Sequence, residues 1–322
     1  MPQNYLITGG AGFIGSHLAE LLLNQGHSVS ILDNLSTGRR ENIAHLLGNP
    51  KLQFIQGTVE DHKTVTELMQ KSDACFHLAS AVGVQLIVDK PVETIRTIIG
   101  GTEVVLEAAR QFRKPVLITS SSEVYGKGSK VPFAEDDDVV MGSTRHSRWC
   151  YAYSKGIDEF LALAHHQQFG LPTIIVRLFN TVGPRQIGMY GMVLPRFVAA
   201  ALKNEPLKVY GTGKQTRCFC HVVDVAQTLI QLMSEPKAIG GVFNLGSEEE
   251  ISMEALAHRV IQITRSKSAL EFIPYEQAYG RSFDDLPRRV PSLANLRHII
   301  NFQPRFNLDQ IIESVIADQK IA

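Results

Sequence analysis

Cysteine is scarce in this chain, with four residues (Cys75, Cys150, Cys218 and Cys220) among 322. That is too few for a disulfide framework and points to a reducing compartment, the cytoplasm. Cys218 and Cys220 form a Cys-x-Cys without a second pair, so no metal centre is expected. A surplus of either charge is also missing, because 32 Lys plus Arg balance 32 Asp plus Glu. Wrapping nucleic acid or lying on an anionic membrane therefore has no electrostatic support. No apolar run approaches the roughly 20 residues that span a bilayer, and the opening from Met1 to Tyr5 lacks the segments of a secretion signal. No repeat, low-complexity tract or Pro/Ser linker divides the chain. Ordinary globular composition is left, at a length suited to one large α/β unit or two closely joined ones.

The first half alternates short β-branched runs with amphipathic stretches. Tyr5 to Thr8, Val29 to Leu32, Phe54–Ile55, Ala74 to Leu78, Val116 to Thr119 and Ile174 to Val176 read as strands. Helical spacing of Ile14, Leu18, Leu21 and Leu22 ends at Gly26, and helices are expected over 92–112 and 151–169. Nearly continuous apolar strands between helices predict a parallel sheet covered on both faces, a doubly wound α/β fold. After Phe179 the rhythm changes, and a smaller C-terminal α/β domain is expected. The predicted division is a dinucleotide domain over 1–178, with 221–240 packing back on it, and a substrate domain over 179–322.

Gly9, Gly12 and Gly15 stand between the first strand and the first helix, and Gly10, Gly12 and Gly15 satisfy G-x-G-x-x-G. Small residues there allow a tight turn and let a pyrophosphate approach N–H groups at a helix N-terminus. Asp33 lies about 20 residues on, at the end of the second strand, where its carboxylate can accept from ribose hydroxyls and repel a 2′-phosphate. This context favours NAD, with Arg39 and Arg40 as the feature that speaks for NADP.

Tyr151 and Lys155 form Tyr-x-x-x-Lys on a predicted helix. Positions i and i+4 share a face, so the ammonium is expected beside the phenol; with the added positive charge of an oxidised nicotinamide it should lower the tyrosine's pKa and make it a base toward a sugar hydroxyl. Ser121 follows the fifth strand and can orient that hydroxyl, with Glu123 next to it as a further proton carrier.

Together these motifs resemble the extended short-chain dehydrogenase/reductases that act on nucleotide sugars. The resemblance runs from Thr8 to Gly15, through Asp33–Asn34, His77 to Ala79, Ser121 to Gly126, Tyr151 to Lys155 and Arg177 to Asn180, to Gly183 to Arg185, Val209 to Gly211, Gln215 to Arg217 and Arg289 to Pro291. It implies a Rossmann-like fold, a bound and recycled NAD, a UDP-sugar substrate and a homodimer built from the 92–112 and 151–169 helices. Cofactor contacts are implied at Phe13 and Ile14 in the glycine turn, and at Asn34, Ser36, Thr37 and Gly38 after the second strand. Further ones are implied at Thr58 and Val59, at Leu78, Ala79 and Ser80, and at Thr119, besides Tyr151 and Lys155. Asn180, Arg185, Arg217 and Tyr210 are implied as substrate contacts. Two positions depart from the family: Thr58 replaces a common aspartate, and Ile98 a frequent asparagine.

The resemblance implies oxidation at C4 of the sugar, after which several reactions are open. Dehydratases of the family carry an aspartic acid where Ser122 stands, which disfavours 4,6-dehydration. The Ser122–Glu123 pair, the segment from Arg148 to Tyr151 and the Arg289 loop resemble UDP-glucuronate decarboxylases, with Arg289 implied in decarboxylation. A UDP-glucose-type 4-epimerase is the alternative, needing Tyr151, Lys155 and Ser121 without Glu123. A non-catalytic NAD-binding sensor is disfavoured by the intact Tyr151–Lys155 pair.

Overall fold

The computed structural model describes residues 1–80, 90–188, 192–275, 277 and 287–321. Strand β1 (Asn4–Thr8) passes through the glycine turn into α1 (Phe13–Asn24), followed by β2 (Ser28–Asp33) and β3 (Leu52–Gln56). Gly26 takes φ +83° just beyond α1, as a helix-ending glycine does. Helix α2 (His62–Lys71) is capped by the Asp61 carboxylate, which accepts from the N–H groups of Lys63 and Thr64. Strand β4 (Ala74–His77) precedes α3 (Pro91–Ile95), which runs through a π turn (Arg96–Gly100) into α4 (Gly101–Phe112). The single helix expected over 92–112 is thus wound wider in its middle. Next come β5 (Val116–Ser121), α5 (Arg148–Phe169) and β6 (Thr173–Leu178).

The rest of the chain contributes β7 (Thr181–Val182), α6 (Val193–Leu202), β8 (Leu207–Tyr210), β9 (Thr216–Cys218), β10 (Cys220–His221), α7 (Val222–Met233) and β11 (Val242–Leu245). After them follow β12 (Glu250–Ser252), α8 (Met253–Thr264), β13 (Leu270–Ile273), β14 (Arg288–Arg289), α9 (Ala294–Ile300) and α10 (Leu308–Ile321). Seven strands form one sheet in the order β11-β6-β5-β4-β1-β2-β3, every neighbouring pair parallel. Alternation along each strand feeds two cores. Ile7, Ile31, Phe76 and Val176 join Leu18 and Leu22 of α1 and Leu229 of α7 on one face. Leu6, Leu32, Ile118 and Ile175 join Val65, Val105 and Leu106 on the other.

The second half re-enters the first body. Helix α7 packs on α1, and β11 extends the large sheet beyond β6. A third core, including Phe197, Val209, Leu256 and Ile312, holds α6, α8 and α10 together beside the carboxyl edge of the sheet. Loops leaving β1, β2, β4, β5 and β6 therefore open toward that third core, at the edge where doubly wound sheets bind ligands.

Candidate active site

A cleft of about 490 Å³ lies at this edge, lined from Gly9 on β1's exit to Arg289 on β14. Its first wall is the glycine turn. Gly9 has φ +72°, and a Cβ there would stand 2.8 Å from the Ala79 nitrogen; one on Gly15 would stand 2.3 Å from the Gly9 carbonyl oxygen. Only hydrogen fits at either place, so the turn closes and brings Gly12, Phe13 and Ile14 to the cleft wall. Helix α1 starts at Gly12 with no capping side chain and no acid in its first turn. Its leading N–H groups are thus available to an anion. Asp33 holds this turn from below. One carboxylate oxygen accepts from Ala11 N at 2.9 Å and the other from Leu35 N at 2.8 Å. Burial pushes its pKa up, against the pull of these N–H groups and that of Gly12. The cradle, the uncapped helix end and the buried acid fit a dinucleotide.

Asn34, Ser36, Thr37, Val59, Leu78, Ala79, Ser80 and Thr119 line the same cleft. Two expected cofactor residues stand off its lining. Gly38 lies behind Asp33, where a Cβ would come within 2.9 Å of both carboxylate oxygens, so it supports the acid. The Thr58 hydroxyl turns away to Glu60, accepting from its N–H at 3.3 Å, because a short side chain closes its own turn. Arg39 lines the cleft and reaches Asn42 Oδ1 at 3.4 Å, whereas the Arg40 guanidinium lies 5.8 Å from the Phe54 ring centre.

Tyr151 and Lys155 enter the cleft from the first turns of α5, and Ser121 from the end of β5. Burial is the first influence on the Tyr151 phenol. Its pKa is pushed up to about 12 by burial, with the Ser121 hydroxyl acting the other way and the charges of Glu123 and Asp158 adding to the rise. The Lys155 ammonium, one turn on, donates to the Thr119 carbonyl at 3.0 Å and to Asp158 Oδ2 at 3.2 Å. Ser121 Oγ accepts from Glu123 N at 3.2 Å, which fixes the turn carrying Glu123. The Glu123 carboxylate accepts from Arg289 Nη1. Arg289 reaches this place because β14 runs parallel to β9, with Arg289 opposite Arg217.

Behind the serines, Arg177 donates to both oxygens of Glu159 at 3.0 and 2.7 Å, and Ser120 Oγ donates to Glu159 as well. This buried network pins α5 against β5 and β6.

Of the residues expected to hold substrate, Asn180, Arg217 and Tyr210 line the far end of the cleft. Asn180 Nδ2 donates to the Cys218 carbonyl at 2.9 Å, and Arg217 Nη1 to the Thr216 carbonyl at 2.7 Å. Arg185 is engaged by other side chains as well. It borders the cleft, but its guanidinium pairs with Glu20 of α1 and lies 3.2 Å from His45 Nε2, while its N–H donates to Asp318. Phe219, Met253 and Tyr275 also line the cleft. Isolated apolar residues of this kind read as core in a sequence, and Tyr275 comes close to Gly211, whose Cβ would stand 2.3 Å from its ring.

The model of the NAD dependent epimerase/dehydratase family matches residues 5–246. A UDP-N-acetyl-alpha-D-glucosaminuronate decarboxylase of Bacillus cytotoxicus is 43% identical over 317 residues, 98% of this chain and 97% of that protein. UDP-glucuronic acid decarboxylase 1 of Arabidopsis thaliana is 35% identical over 97% of this chain and 69% of its own length. Among solved structures, UDP-glucuronic acid 4-epimerase from Bacillus cereus, in complex with UDP-glucuronic acid and NAD, superimposes with a TM-score of 0.87 at 27% identity, covering 99% of both chains.

Proposed function

We propose that this chain, which belongs to the NAD-dependent epimerase/dehydratase family, decarboxylates a UDP-activated hexuronate through a transient 4-keto sugar. The observation that carries this reading is the Glu123–Arg289 pair, which shares one cleft with Tyr151 and Ser121. A guanidinium there can hold the C5 carboxylate that leaves, and a carboxylate beside it can carry the proton that replaces it. The two relatives named as decarboxylases support the same reaction.

NAD, when bound, takes hydride from C4 of the sugar and can return it. Tyr151 removes the C4 hydroxyl proton as the carbonyl forms, with Ser121 orienting the hydroxyl. The new ketone stands β to the C5 carboxylate, so the C5–C6 bond can break with its electron pair passing to an enolate oxygen. Arg289 grips the carboxylate bidentately until it leaves as CO₂. The substrate carboxylate competes with Glu123 for Arg289, and two carboxylates sharing one cation favour a proton on one of them. Glu123 then delivers that proton to C5. Asn180, Arg217 and Tyr210 hold the nucleotide end.

A homodimer is proposed on the face formed by α3 and α5. Val92, Ile95, Tyr153, Ile157 and Phe160 are exposed there, Phe160 at 76%. The four thiols are unpaired, which supports a reducing, cytoplasmic setting. No helix among the described residues is long and apolar enough to cross a membrane.

Incubation with UDP-glucuronate and with its 2-acetamido counterpart, read by mass spectrometry and NMR, tests the reading. Loss of the mass of CO₂ from either substrate is the expected result. Unchanged mass with an inverted C4 identifies a 4-epimerase instead, and Glu123→Ala or Arg289→Ala releasing CO₂ at the unmodified rate removes those two roles.

A further inference from the structure

One buried amide joins the two short segments that carry Glu123 and Arg289. Asn244 stands on β11, the edge strand of the large sheet, and is 0% exposed. Its side-chain oxygen accepts from the Tyr125 hydroxyl at 2.7 Å, and Tyr125 closes the short helical turn Ser122–Tyr125 that also holds Glu123. Its side-chain nitrogen donates to the Phe133 carbonyl at 2.9 Å and to the Ser292 carbonyl at 3.3 Å. Both protons of the amide nitrogen are thus used, together with one lone pair of its oxygen. Carbonyls can only accept, so these two fix which end of the amide faces them.

We propose that Asn244 is a positioning residue that sets Arg289 against Glu123, and thereby sets the hold on the C5 carboxylate of the substrate. The inference rests on the reading of that pair as the groups that serve decarboxylation. Strand β14 has two residues and so only a short ladder with β9 to place Arg289. Just past it, Phe133 N donates to the Val290 carbonyl at 2.8 Å, and Ser292 N to the Phe133 carbonyl at 2.7 Å. The Phe133 ring in turn lies flat on Tyr125, with centroids 4.6 Å apart and planes 9° apart. Phe133 is therefore clasped between the turn bearing Glu123 and the segment bearing Arg289, and Asn244 bonds to all three.

The amide is itself held in place. Asn244 N donates to Glu135 Oε1 at 2.8 Å, and the Glu135 carbonyl accepts from Arg177 Nη1 at 2.9 Å. Glu123 stands two residues before Tyr125 and Arg289 three before Ser292, so slack at the amide reaches both ends of the pair. Arg289 Nη1 serves Glu123 and lies 3.4 Å from Ser122 Oγ, whereas its buried Nε has no partner among the described residues. A buried donor left open costs stability until a ligand oxygen completes it. The planar fork of a guanidinium holds a carboxylate well only when correctly aimed, and aim is what the amide supplies.

The test compares UDP-glucuronate with UDP-glucose, which shares nucleotide and ring but carries CH₂OH in place of the carboxylate. Dissociation constants are measured by calorimetry on the NAD-saturated chain, in the Tyr151→Phe background to prevent turnover. The preference for UDP-glucuronate is expected to fall about tenfold in Asn244→Ala, the worth of one hydrogen bond to a charged group, with UDP-glucose affinity held within about twofold. Arg289→Ala should lower the preference at least as much, and adding Asn244→Ala to it should lower it no further. Equal weakening of both ligands means loosened packing alone and overturns the proposal, as does an additive loss in the double variant. Should Asn244→Ala fail to fold, Tyr125→Phe takes its place, since it deletes one hydroxyl and keeps the aromatic stack; a loss of preference of about threefold is then expected, and none overturns the proposal. A chain with no preference for the carboxylate before Asn244 is changed loses the Arg289 grip and this inference together. A preference that survives Asn244→Ala intact overturns the inference alone.

Discussion

In the proposed reaction Tyr151 acts as a base when the C4 hydroxyl arrives. Burial pushes its pKa up, and the Lys155 ammonium on the same helix together with the positive charge of an oxidised nicotinamide would act to lower it. Removal of the hydroxyl separates binding from chemistry. Tyr151→Phe is expected to slow turnover by about 10²–10⁴, the ordinary worth of a positioned acid–base group. NAD affinity, followed by fluorescence titration, should change only a few-fold, because the glycine turn and Asp33 are untouched. Loss of both together would mean that Tyr151 serves the cofactor and not the reaction. Tyr151, Lys155 and Ser121 are legible in the sequence because their spacing on a helix or at a strand end dictates their place. The burial that pushes the tyrosine's pKa up is not, since it depends on how the elements around α5 pack. The ion pair of Arg185 is illegible for a related reason. Its partner Glu20 lies 165 residues away, and no local pattern signals that contact.

Among the elements, the long ones are readable and the short ones are not. Strands β1, β2, β5 and β6 have enough β-branched residues to stand out, and α5 has a sustained apolar face. By contrast β12 and β14 have three and two residues, too few for any period, yet β14 carries Arg289. That strand is held to its small sheet by the pair between Arg288 and Glu250 of β12, with two hydrogen bonds of 2.8 Å. The Arg288 contact depresses the Glu250 pKa from its ordinary 4.5 to about 2. A depressed carboxylate stabilises the fold fully above the unfolded value, and that stabilisation is lost as pH falls from about 4.5 toward 2. Arg288 is more than half exposed, so the effect is small and screened by salt. Urea midpoints measured across this interval should fall less steeply in Glu250→Gln than in the unmodified chain, with the two converging at the acid end. Parallel curves would show that the pair contributes nothing to the anchoring of β14.

At the scale of the whole molecule, α5 has two jobs that its period keeps apart. Tyr151, Lys155, Asp158 and Ala162 face inward and are buried, whereas Tyr153, Ile157 and Phe160 fall three or four residues apart on the outer side and are exposed. Val92 and Ile95 of α3 extend the same outer surface, beside the π turn whose Ile98 packs on Tyr151. Among the described residues these side chains stay exposed, and a second copy offering the same stripe would bury it by two-fold symmetry. The helix that would form the contact also aims the phenol and the ammonium into the cleft, so assembly and chemistry share one rigid element. Phe160→Asp places a charge at the centre of that stripe without touching any cleft residue. It is expected to shift the chain from dimer to monomer in sedimentation-velocity runs and to lower turnover in step with the monomer fraction, as α5 loses its outer support. A variant that stays dimeric would move the interface elsewhere, and one that becomes monomeric with full turnover would show that the fold alone holds α5 in place.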